Sequence, residues 1–366
     1  MKKIAVFFGG ESVEHDVSVI TGVTTLNSID TSRYQVIPVY VEGDGKFYTG
    51  DCLFDIDGYK TLNTKKLKRV TLLPSDNGLY QIKKAKLKKL CSISAIVNCM
   101  HGGVGEDGSM AGLFNVCKIP CTSSGVTASS MSMDKAFTKT VLKGLNVKHL
   151  SAVKVNGVYD LHKREKELAE FPVIVKPNLL GSSIGITKAE NRSQLINGVL
   201  LALKYNDSVI IEPCLENFME INCAVYRDYS GKLVVSECER PIANSEILGF
   251  DDKYKKGERE FPAKIEKRIT DKIKKTTQKV YECCNFSGII RIDYMVKDNQ
   301  IYLNEINSVP GSLAYYLFSD TLKDFSLILT DLIEKAIKDN EKNKTTVKTF
   351  DSGILGGFGI KGAKHL

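Results

Sequence analysis

The sequence lacks the segments that would send a protein into a membrane or out of the cell. No apolar stretch approaches the roughly 20 residues that a transmembrane helix needs. The apolar part of the N-terminal MKKIAVFFGG is too short for a secretory signal peptide, and no small-residue cleavage site follows it. We therefore expect a cytoplasmic protein that has no membrane partner.

A purely basic run is missing as well. Lysine and arginine outnumber the acidic residues by 51 to 43, which gives a net charge of +8, yet the lysines are spread along all 366 residues. Such a spread is typical of a solvated surface rather than of a stripe that binds nucleic acid. We expect no nucleic-acid partner, and the charge suits an anionic small-molecule substrate.

The ten cysteines follow no repeating pair spacing, which argues against a disulfide framework. Cys99 and Cys223 lie in apolar runs, where a reduced cysteine acts as a small hydrophobic residue. Cys117 and Cys121 are close enough to be metal ligands, but no second pair accompanies them, so we interpret them as core residues. These features predict a reducing cytosol.

Two common nucleotide-binding motifs are also missing in usable form. The GK[ST] order of a Walker A loop does not occur. A literal GxGxxG is present at Gly357, Gly359 and Gly362, but only four residues follow it, whereas a dinucleotide fingerprint needs a strand before and a helix after. The N-terminal GGESVEH does not match the fingerprint either, so a Rossmann dehydrogenase is a poor interpretation.

What is present in the first third is an alternation of strand and helix patterns. The apolar runs typical of buried parallel strands are KIAVFF (3–8), YQVIPVYV (34–41) and SAIVNCM (94–100). Residues 16–28 fit a helix, and residues 43–90 are predicted to form hairpins or an irregular insertion. This order predicts a doubly wound α/β domain with a parallel sheet over residues 1–125.

The remainder has the pattern of an α+β protein with segregated strands. The predicted helices and strands are, in order, helix 133–145, strand 171–177, helix 191–204, strand 208–215, strands within 218–237, helix 265–284, strands 288–296 and 300–307, and helix 322–338. We place one lobe at residues 126–215 and a second at 216–340. The Gly-rich tail at 341–366 stays unassigned.

The strongest chemical signal is the hairpin RIDYM…NEIN. Alternate residues of a strand share a face, and a turn at residues 298–299 places Asp293 opposite residue 304 or 305. Asp293, Glu305 and Asn307 therefore converge as hard oxygen ligands that suit Mg²⁺. The alternative is an exposed polar face, but two carboxylates that face each other across a ladder are unfavourable without a cation.

Three weaker signals accompany the hairpin. Lys176 ends an apolar strand and precedes a Gly/Ser loop, which is able to offer N–H groups and hydroxyls to phosphate. The segment IIEPCLEN at 210–217, with Glu220 beyond it, is able to present an edge to adenine. Lys253 and Tyr254 lie in a charged loop that suits an active-site lid. The alternatives are a flexible loop, solvated carboxylates and a solvated loop.

With these motifs in order, the chain resembles the D-alanine–D-alanine ligases of the ATP-grasp superfamily over about residues 1–340. The shared motifs are GGESVEHDVS, HGGVGEDGSMAGLF, SGVTASSMSMDK, VIVKPNLLGSSIGI, the Lys253-Tyr254 loop, RIDYM and NEINSVPG. The resemblance implies a two-lobed ATP-grasp region, a homodimer formed through the N-terminal domain, and ATP with Mg²⁺ (two ions, Mn²⁺ being an alternative). It places the nucleotide on Lys135, Lys176, Gly181, Ser182, Ser183, Glu212, Pro213, Cys214, Leu215, Glu220 and Lys253.

The implied reaction phosphorylates the first D-alanine, and the amine of the second D-alanine attacks the acyl phosphate to give the dipeptide used in peptidoglycan. Arg291 and the N–H of Gly311 match the groups that steady the oxyanion. A hydrogen-bonded triad is implied for Glu14, Ser182 and Tyr254. The substrate positions implied or inferred are Glu14 (for the ammonium group of the first amino acid), Ser18, His101, Tyr316 and Leu317.

The sequence departs from the family where PGSLAYYL follows NEINSV. Tyr316 stands at the position of a serine that helps to hold the second substrate. Two alternatives therefore stay open: a ligase that adds D-serine or another D-amino acid, and a catalytically idle paralogue that binds nucleotide. The retained metal ligands and Lys176 argue against the idle paralogue.

Overall fold

The structure is a computed structural model that describes residues 1–242, 258–347 and 349–353. Within them the helices are α1 (His15–Ser28), α2 (Ser109–Val116), α3 (Val126–Met133), α4 (Lys135–Gly144), α5 (Val158–Arg164), α6 (Arg192–Ala202), α7 (Lys267–Cys283) and α8 (Leu322–Lys344). The predicted helices correspond to α1, α4, α6, α7 and α8, whereas the short helices α2, α3 and α5 were not predicted.

The strands are β1 (Lys2–Gly9), β2 (Tyr34–Val41), β3 (Phe47–Thr49), β4 (Lys68–Leu73), β5 (Asp76–Lys83), β6 (Lys86–Ser92), β7 (Ala95–Asn98), β8 (Val153–Val155), β9 (Val173–Pro177), β10 (Thr187–Ala189), β11 (Val209–Pro213), β12 (Met219–Arg227), β13 (Leu233–Val235), β14 (Arg240–Pro241), β15 (Arg259–Glu260), β16 (Ile290–Lys297) and β17 (Gln300–Asn307). Short 3-10 turns connect several of them. Strands β14 and β15 pair as a small ribbon.

The N-terminal sheet has seven strands in the order β6-β5-β4-β3-β2-β1-β7. The predicted parallel strands β2, β1 and β7 are confirmed, but the sheet as a whole is mixed, because β3 to β6 extend it as an antiparallel meander. Tight turns at Ser75 and Lys84, whose φ angles are 62° and 56°, reverse the chain between these strands. Residues 43–90 are thus largely part of the sheet and not a separate insertion.

Two antiparallel four-stranded sheets follow, so the predicted α+β organisation is confirmed. The first has the order β10-β9-β11-β8, and α6 packs on β9 and β10. The second has the order β13-β12-β16-β17, and α7 packs on β12 and β13. Each sheet buries its own apolar core, as alternating apolar residues of a half-covered sheet require.

Core packing joins segments that are far apart in sequence. Ala128, Met131 and Leu142, from α3 and α4, lie in the core of the second sheet. Phe325 and Ile333 of α8 lie in the core that covers the N-terminal sheet. The predicted lobe boundaries stay predictions, and α8 runs four residues past the predicted boundary at residue 340.

Within the described ranges, no helix is long and apolar enough to span a bilayer. All ten cysteines are free thiols, and Cys99, Cys117, Cys223 and Cys238 are buried. These four cysteines therefore contribute to the cores as hydrophobic residues.

Candidate active site

A cleft of about 640 Å³ lies between the two antiparallel sheets. Its walls are apolar at Ile174, Met219 and Met295, and lysines and carboxylates project into it elsewhere. All but one of the predicted nucleotide positions within the described residues line it, as do two predicted metal ligands: Lys135, Lys176, Gly181, Ser183, Glu212, Pro213, Cys214, Leu215, Glu220, Asp293 and Glu305. Ser182 does not line the cleft, and Lys253 lies outside the described residues.

Glu212 is held in the cleft by two lysines. Its carboxylate oxygens lie 2.7 Å from Lys139 Nζ and 2.7 Å from Lys176 Nζ, although only 2% of the residue is exposed. Burial alone would raise the pKa of Glu212, but the two ammonium groups lower it from 4.5 to about 2. Sequence reasoning missed Lys139, which lies one turn after Lys135 on α4, the signal that could have identified it.

The Gly/Ser loop after β9 approaches this cluster. Ser182 and Ser183 adopt left-handed φ angles of 55° and 57°, a conformation typical of loops shaped for binding. Lys135 Nζ donates to the carbonyl of Leu180 at 2.5 Å and lies 3.2 Å from a carboxylate oxygen of Glu305. The loop and the metal hairpin therefore meet at Lys135.

The hairpin register agrees with the sequence argument: Asp293 pairs directly with Glu305, and Arg291 pairs with Asn307. Arg291 donates to both oxygens of Asp293, at 2.7 and 2.9 Å, and the Asn307 amide donates to one of them at 3.0 Å. The positive charge that an Asp–Glu pair requires is thus supplied here by Arg291 and Lys135. The metal role of the three residues stays a prediction.

The donor set itself fits a magnesium ion. Asp293, Glu305 and Asn307 contribute only hard oxygen ligands from adjacent strands, and Asp293 is 2% exposed. Among the described residues, no three His, Cys, Asp or Glu side chains form a metal-binding group, which leaves two carboxylates and one amide as the donors. Such a sparse set is typical of Mg²⁺ that is shared with substrate phosphates.

Glu14 lies beside the Gly/Ser loop, immediately before α1. It accepts a short hydrogen bond from the Ser182 hydroxyl, so two members of the predicted triad are in contact. Tyr254, the third member, lies outside the described residues. Glu14 also lines a second cavity of about 20 Å³, whose other lining residues include Glu106, Lys135, Gly181, Glu305 and Asn307.

Three predicted substrate residues are occupied by protein contacts. The Ser18 hydroxyl accepts from Gly9 N–H and donates to the carbonyl of Cys99, both at 2.7 Å, and the residue is fully buried. His101 has partners on both ring nitrogens, and burial lowers its pKa to about 4. Leu317 is 2% exposed and packs in the core against the N-terminal sheet. Their substrate roles stay predictions; in this structure the three side chains are engaged in contacts within the protein.

Tyr316 lies between two arginines at the edge of the hairpin. Its hydroxyl is 3.4 Å from Nη1 of Arg291, and the Arg259 guanidinium lies 5.0 Å from the ring centroid. Gly311 opens the preceding turn, in which Ser312, Leu313 and Ala314 have φ angles of 52°, 49° and 47°.

Glu106 is a further residue that sequence reasoning missed, although its motif GEDG had been recognised. Its carboxylate accepts from the N–H groups of Gly102 and Val309, both at 2.8 Å. Desolvation, followed by the negative charge of Glu14, raises the pKa of Glu106 from 4.5 to about 7. The available signal was an acidic residue in the glycine-rich loop between β7 and α2.

Comparison with known proteins identifies the family. Residues 3–124 match the family model "D-ala D-ala ligase N-terminus", and residues 142–338 match "D-ala D-ala ligase C-terminus". The chain is 34% identical to a D-alanine–D-alanine ligase of Thermosipho africanus, with 97% of this chain and 98% of the relative covered. It is 33% identical to one from Clostridium acetobutylicum, with 93% and 99% covered.

The fold agrees with that of solved structures. The crystal structure of a D-alanine–D-alanine ligase from Helicobacter pylori superposes with a TM-score of 0.77 at 28% identity, and the match covers 92% of this chain and 98% of that one. With both family halves matched in order and full-length relatives above 30% identity, the chain belongs to the D-alanine–D-alanine ligase family.

Proposed function

We propose that the protein is an ATP-dependent ligase that joins two D-alanine molecules through a D-alanyl phosphate to make the dipeptide used in peptidoglycan. The observation that carries the proposal is that the large cleft and the small cavity share three lining residues, Lys135, Gly181 and Glu305. A phosphoryl donor in the cleft and an acceptor carboxylate in the small cavity would meet at these residues.

The cleft residues suit ATP. Apolar walls at Ile174 and Met219 suit an adenine ring, whereas Lys135 and Lys176 supply positive charge for phosphates. Phosphoryl transfer depends mainly on positioning and on neutralising charge in the transition state, which fixed ammonium groups provide. Glu212 keeps Lys176 ionised and in place through the 2.7 Å contact.

Members of this family use ATP and Mg²⁺, and we propose that Asp293, Glu305 and Asn307 hold the metal, with two ions bound in the working enzyme. Mg²⁺ would supply charge neutralisation on the transferring phosphoryl group. Arg291 already lies against Asp293, and we propose that it also steadies the oxyanion together with the N–H of Gly311.

Glu14 suits the ammonium group of the first amino acid. Its carboxylate lines the small cavity and is oriented by the hydroxyl of Ser182. The cavity of about 20 Å³ has room for one water molecule, so we expect the surrounding segments to separate when the amino acid enters.

The proposal is tested by ADP release with D- and L-amino acids, singly and in pairs, and by mass spectrometry of the product. We expect saturable ADP release that requires D-alanine and Mg²⁺ and is abolished by a chelator. Release of ADP without a dipeptide, or no turnover with any D-amino acid, would contradict it. If no D-amino acid is turned over but the protein still binds ATP, the result would support the idle paralogue.

A second candidate, a ligase that adds D-serine after D-alanine, is favoured by one observation. The Tyr316 hydroxyl, 3.4 Å from Arg291, offers a polar contact that a serine side chain in the second position could share. The same amino-acid pairs decide between them: a higher kcat/KM for D-serine than for D-alanine as second substrate would select this candidate.

We also propose a cytoplasmic homodimer. The ten free thiols suit a reducing compartment, and Ile20 of α1 is 52% exposed on the N-terminal surface. Sedimentation of the purified protein measures the oligomeric state, and a monomer at micromolar concentration would exclude the dimer.

A further inference from the structure

The chain after β17 adopts a conformation that needs external support. Ser312, Leu313 and Ala314 are three successive left-handed residues, and none of them is glycine. Each residue with a Cβ atom is strained in this region, and such strain persists only where the surroundings hold the backbone. Leu313 and Ala314 are buried in the core that covers the N-terminal sheet, so the support comes from that side.

A hydrogen-bond chain from the N-terminal sheet ends on this turn. The Ser312 N–H donates to Thr21 Oγ1 at 2.9 Å, and Thr21 Oγ1 lies 2.8 Å from Nε2 of His101. Nδ1 of His101 lies 2.6 Å from the carbonyl of Val309, which can only accept, so Nδ1 carries the proton. Nε2 of the neutral ring therefore accepts from the Thr21 hydroxyl.

Glu106 makes a parallel connection. One carboxylate oxygen accepts from the N–H of Val309 and the other from the N–H of Gly102, both at 2.8 Å. A carboxylate accepts at both oxygens, whereas an amide in its place would direct a donor at one of the two N–H groups. Val309 is thus held at its N–H by Glu106 and at its carbonyl by His101.

The backbone groups that these hydrogen bonds fix lie on both sides of Gly311. Val309 lies two residues before it and Ser312 directly after it, and both are bonded to residues near the N-terminal sheet. Asn307 precedes the segment, and Tyr316 follows it beside Arg291. A displacement of about 1 Å in such a segment is enough to misalign a group that must meet a transition state.

We propose that Thr21, His101 and Glu106, the N-terminal clasp, are positioning residues that hold the left-handed turn and so aim the Gly311 N–H at the reacting carbonyl. This inference rests on the proposed ligase function, since the task of Gly311 follows from it. A positioning role for His101 is consistent with the hydrogen bonds that both of its ring nitrogens make within the protein. Loss of the clasp lowers kcat and leaves ATP binding in place, because the nucleotide cleft does not include these residues.

The test compares two isosteric changes on one helix. Thr21→Val removes the hydroxyl that bonds Ser312, whereas Thr25→Val removes an equally buried hydroxyl one turn further on, which contacts Cys99. We expect Thr21→Val to lower kcat for ADP release at least tenfold, with KM for ATP within twofold of the parent. Thr25→Val keeps both constants within twofold, and Thr21→Ser recovers most of the lost kcat.

Glu106→Gln provides a second test that does not depend on Thr21. We expect kcat to fall about tenfold, with KM for ATP within twofold and a melting temperature close to that of Thr25→Val. If Thr21→Val does not fold, this variant decides alone. An active parent whose Thr21→Val and Thr25→Val variants have equal kcat, or whose Glu106→Gln variant keeps its kcat, would overturn the clasp. An inactive parent would instead overturn the proposed function.

Discussion

The nucleotide cleft and the N-terminal clasp keep buried polar groups satisfied in opposite ways. In the cleft, Glu212 is 2% exposed and is balanced by the charges of Lys139 and Lys176. In the clasp, the neutral His101 ring, the Thr21 hydroxyl and the Glu106 carboxylate are satisfied mainly by backbone groups, over contacts of 2.6 to 2.9 Å. Removing one member of a buried charged set leaves a charge uncompensated, whereas removing a neutral member costs one hydrogen bond, so the cleft is the more sensitive region.

Lys176→Met is expected to produce the largest effect. It removes one of two cations from Glu212 and a phosphate partner from the cleft, so we expect ADP release to fall by about three orders of magnitude. The free energy of unfolding, measured in urea, should fall by about 3 kcal/mol. Lys267→Met is the control, because its pair with Asp271 is exposed and contributes less than about 0.5 kcal/mol. An equal loss of unfolding free energy in Lys176→Met and Lys267→Met would contradict the greater sensitivity of the cleft.

Lowering the pH is expected to produce the next largest effect, a loss of stability through protonation of Glu212. Its folded pKa, about 2, lies below its ordinary 4.5, so its contribution to stability is complete above pH 4.5 and is lost as the pH falls towards 2. The pKa difference corresponds to about 3 kcal/mol. Glu212→Gln lacks this contribution, so the difference in unfolding free energy between parent and variant should shrink over this window. A pH-independent difference would show that the two lysines do not stabilise the carboxylate.

Glu14→Gln tests the boundary between cleft and small cavity. Because Glu14 bonds Ser182 and lines the small cavity but not the cleft, we expect KM for D-alanine to rise about tenfold, the size of losing one charge-assisted contact. KM for ATP should stay within twofold. A change in ATP affinity with unaltered D-alanine dependence would transfer Glu14 to the nucleotide site.

Tyr316→Phe is expected to give the smallest effect. The hydroxyl makes a long contact of 3.4 Å with Arg291, while the ring keeps its position under Arg259. We expect KM for the second D-amino acid to rise about threefold, the lower end of what one hydrogen bond contributes. The measurement is ADP release with the second amino acid varied, and an unchanged KM would remove Tyr316 from the second-substrate site.

The structural features that depend on short-range sequence patterns were predictable. The period of two along β16 and β17, together with a turn at residues 298–299, placed Asp293 opposite residue 304 or 305, and the structure pairs it with Glu305 through a register shift between Asp293 and Tyr294. The apolar runs that became β1, β2 and β7 were equally clear, because strands buried on both faces read as continuous hydrophobic runs. The meander of β3 to β6 was only partly foreseen, since exposed lysine-rich strands carry a weak periodic signal.

The sequence by itself determined the family, the antiparallel hairpin with its three oxygen donors, and Lys176 near the end of β9, because these depend on local periodicity and ordered motifs. Only the tertiary structure decided what surrounds them. Val309 meets Glu106 across 203 residues of chain, and Lys176 shares Glu212 with a lysine on another element. The roles inferred for Lys139, Thr21 and Glu106 depend on burial and on polar contacts between segments that are far apart in the chain. A local sequence pattern carries no information about such contacts.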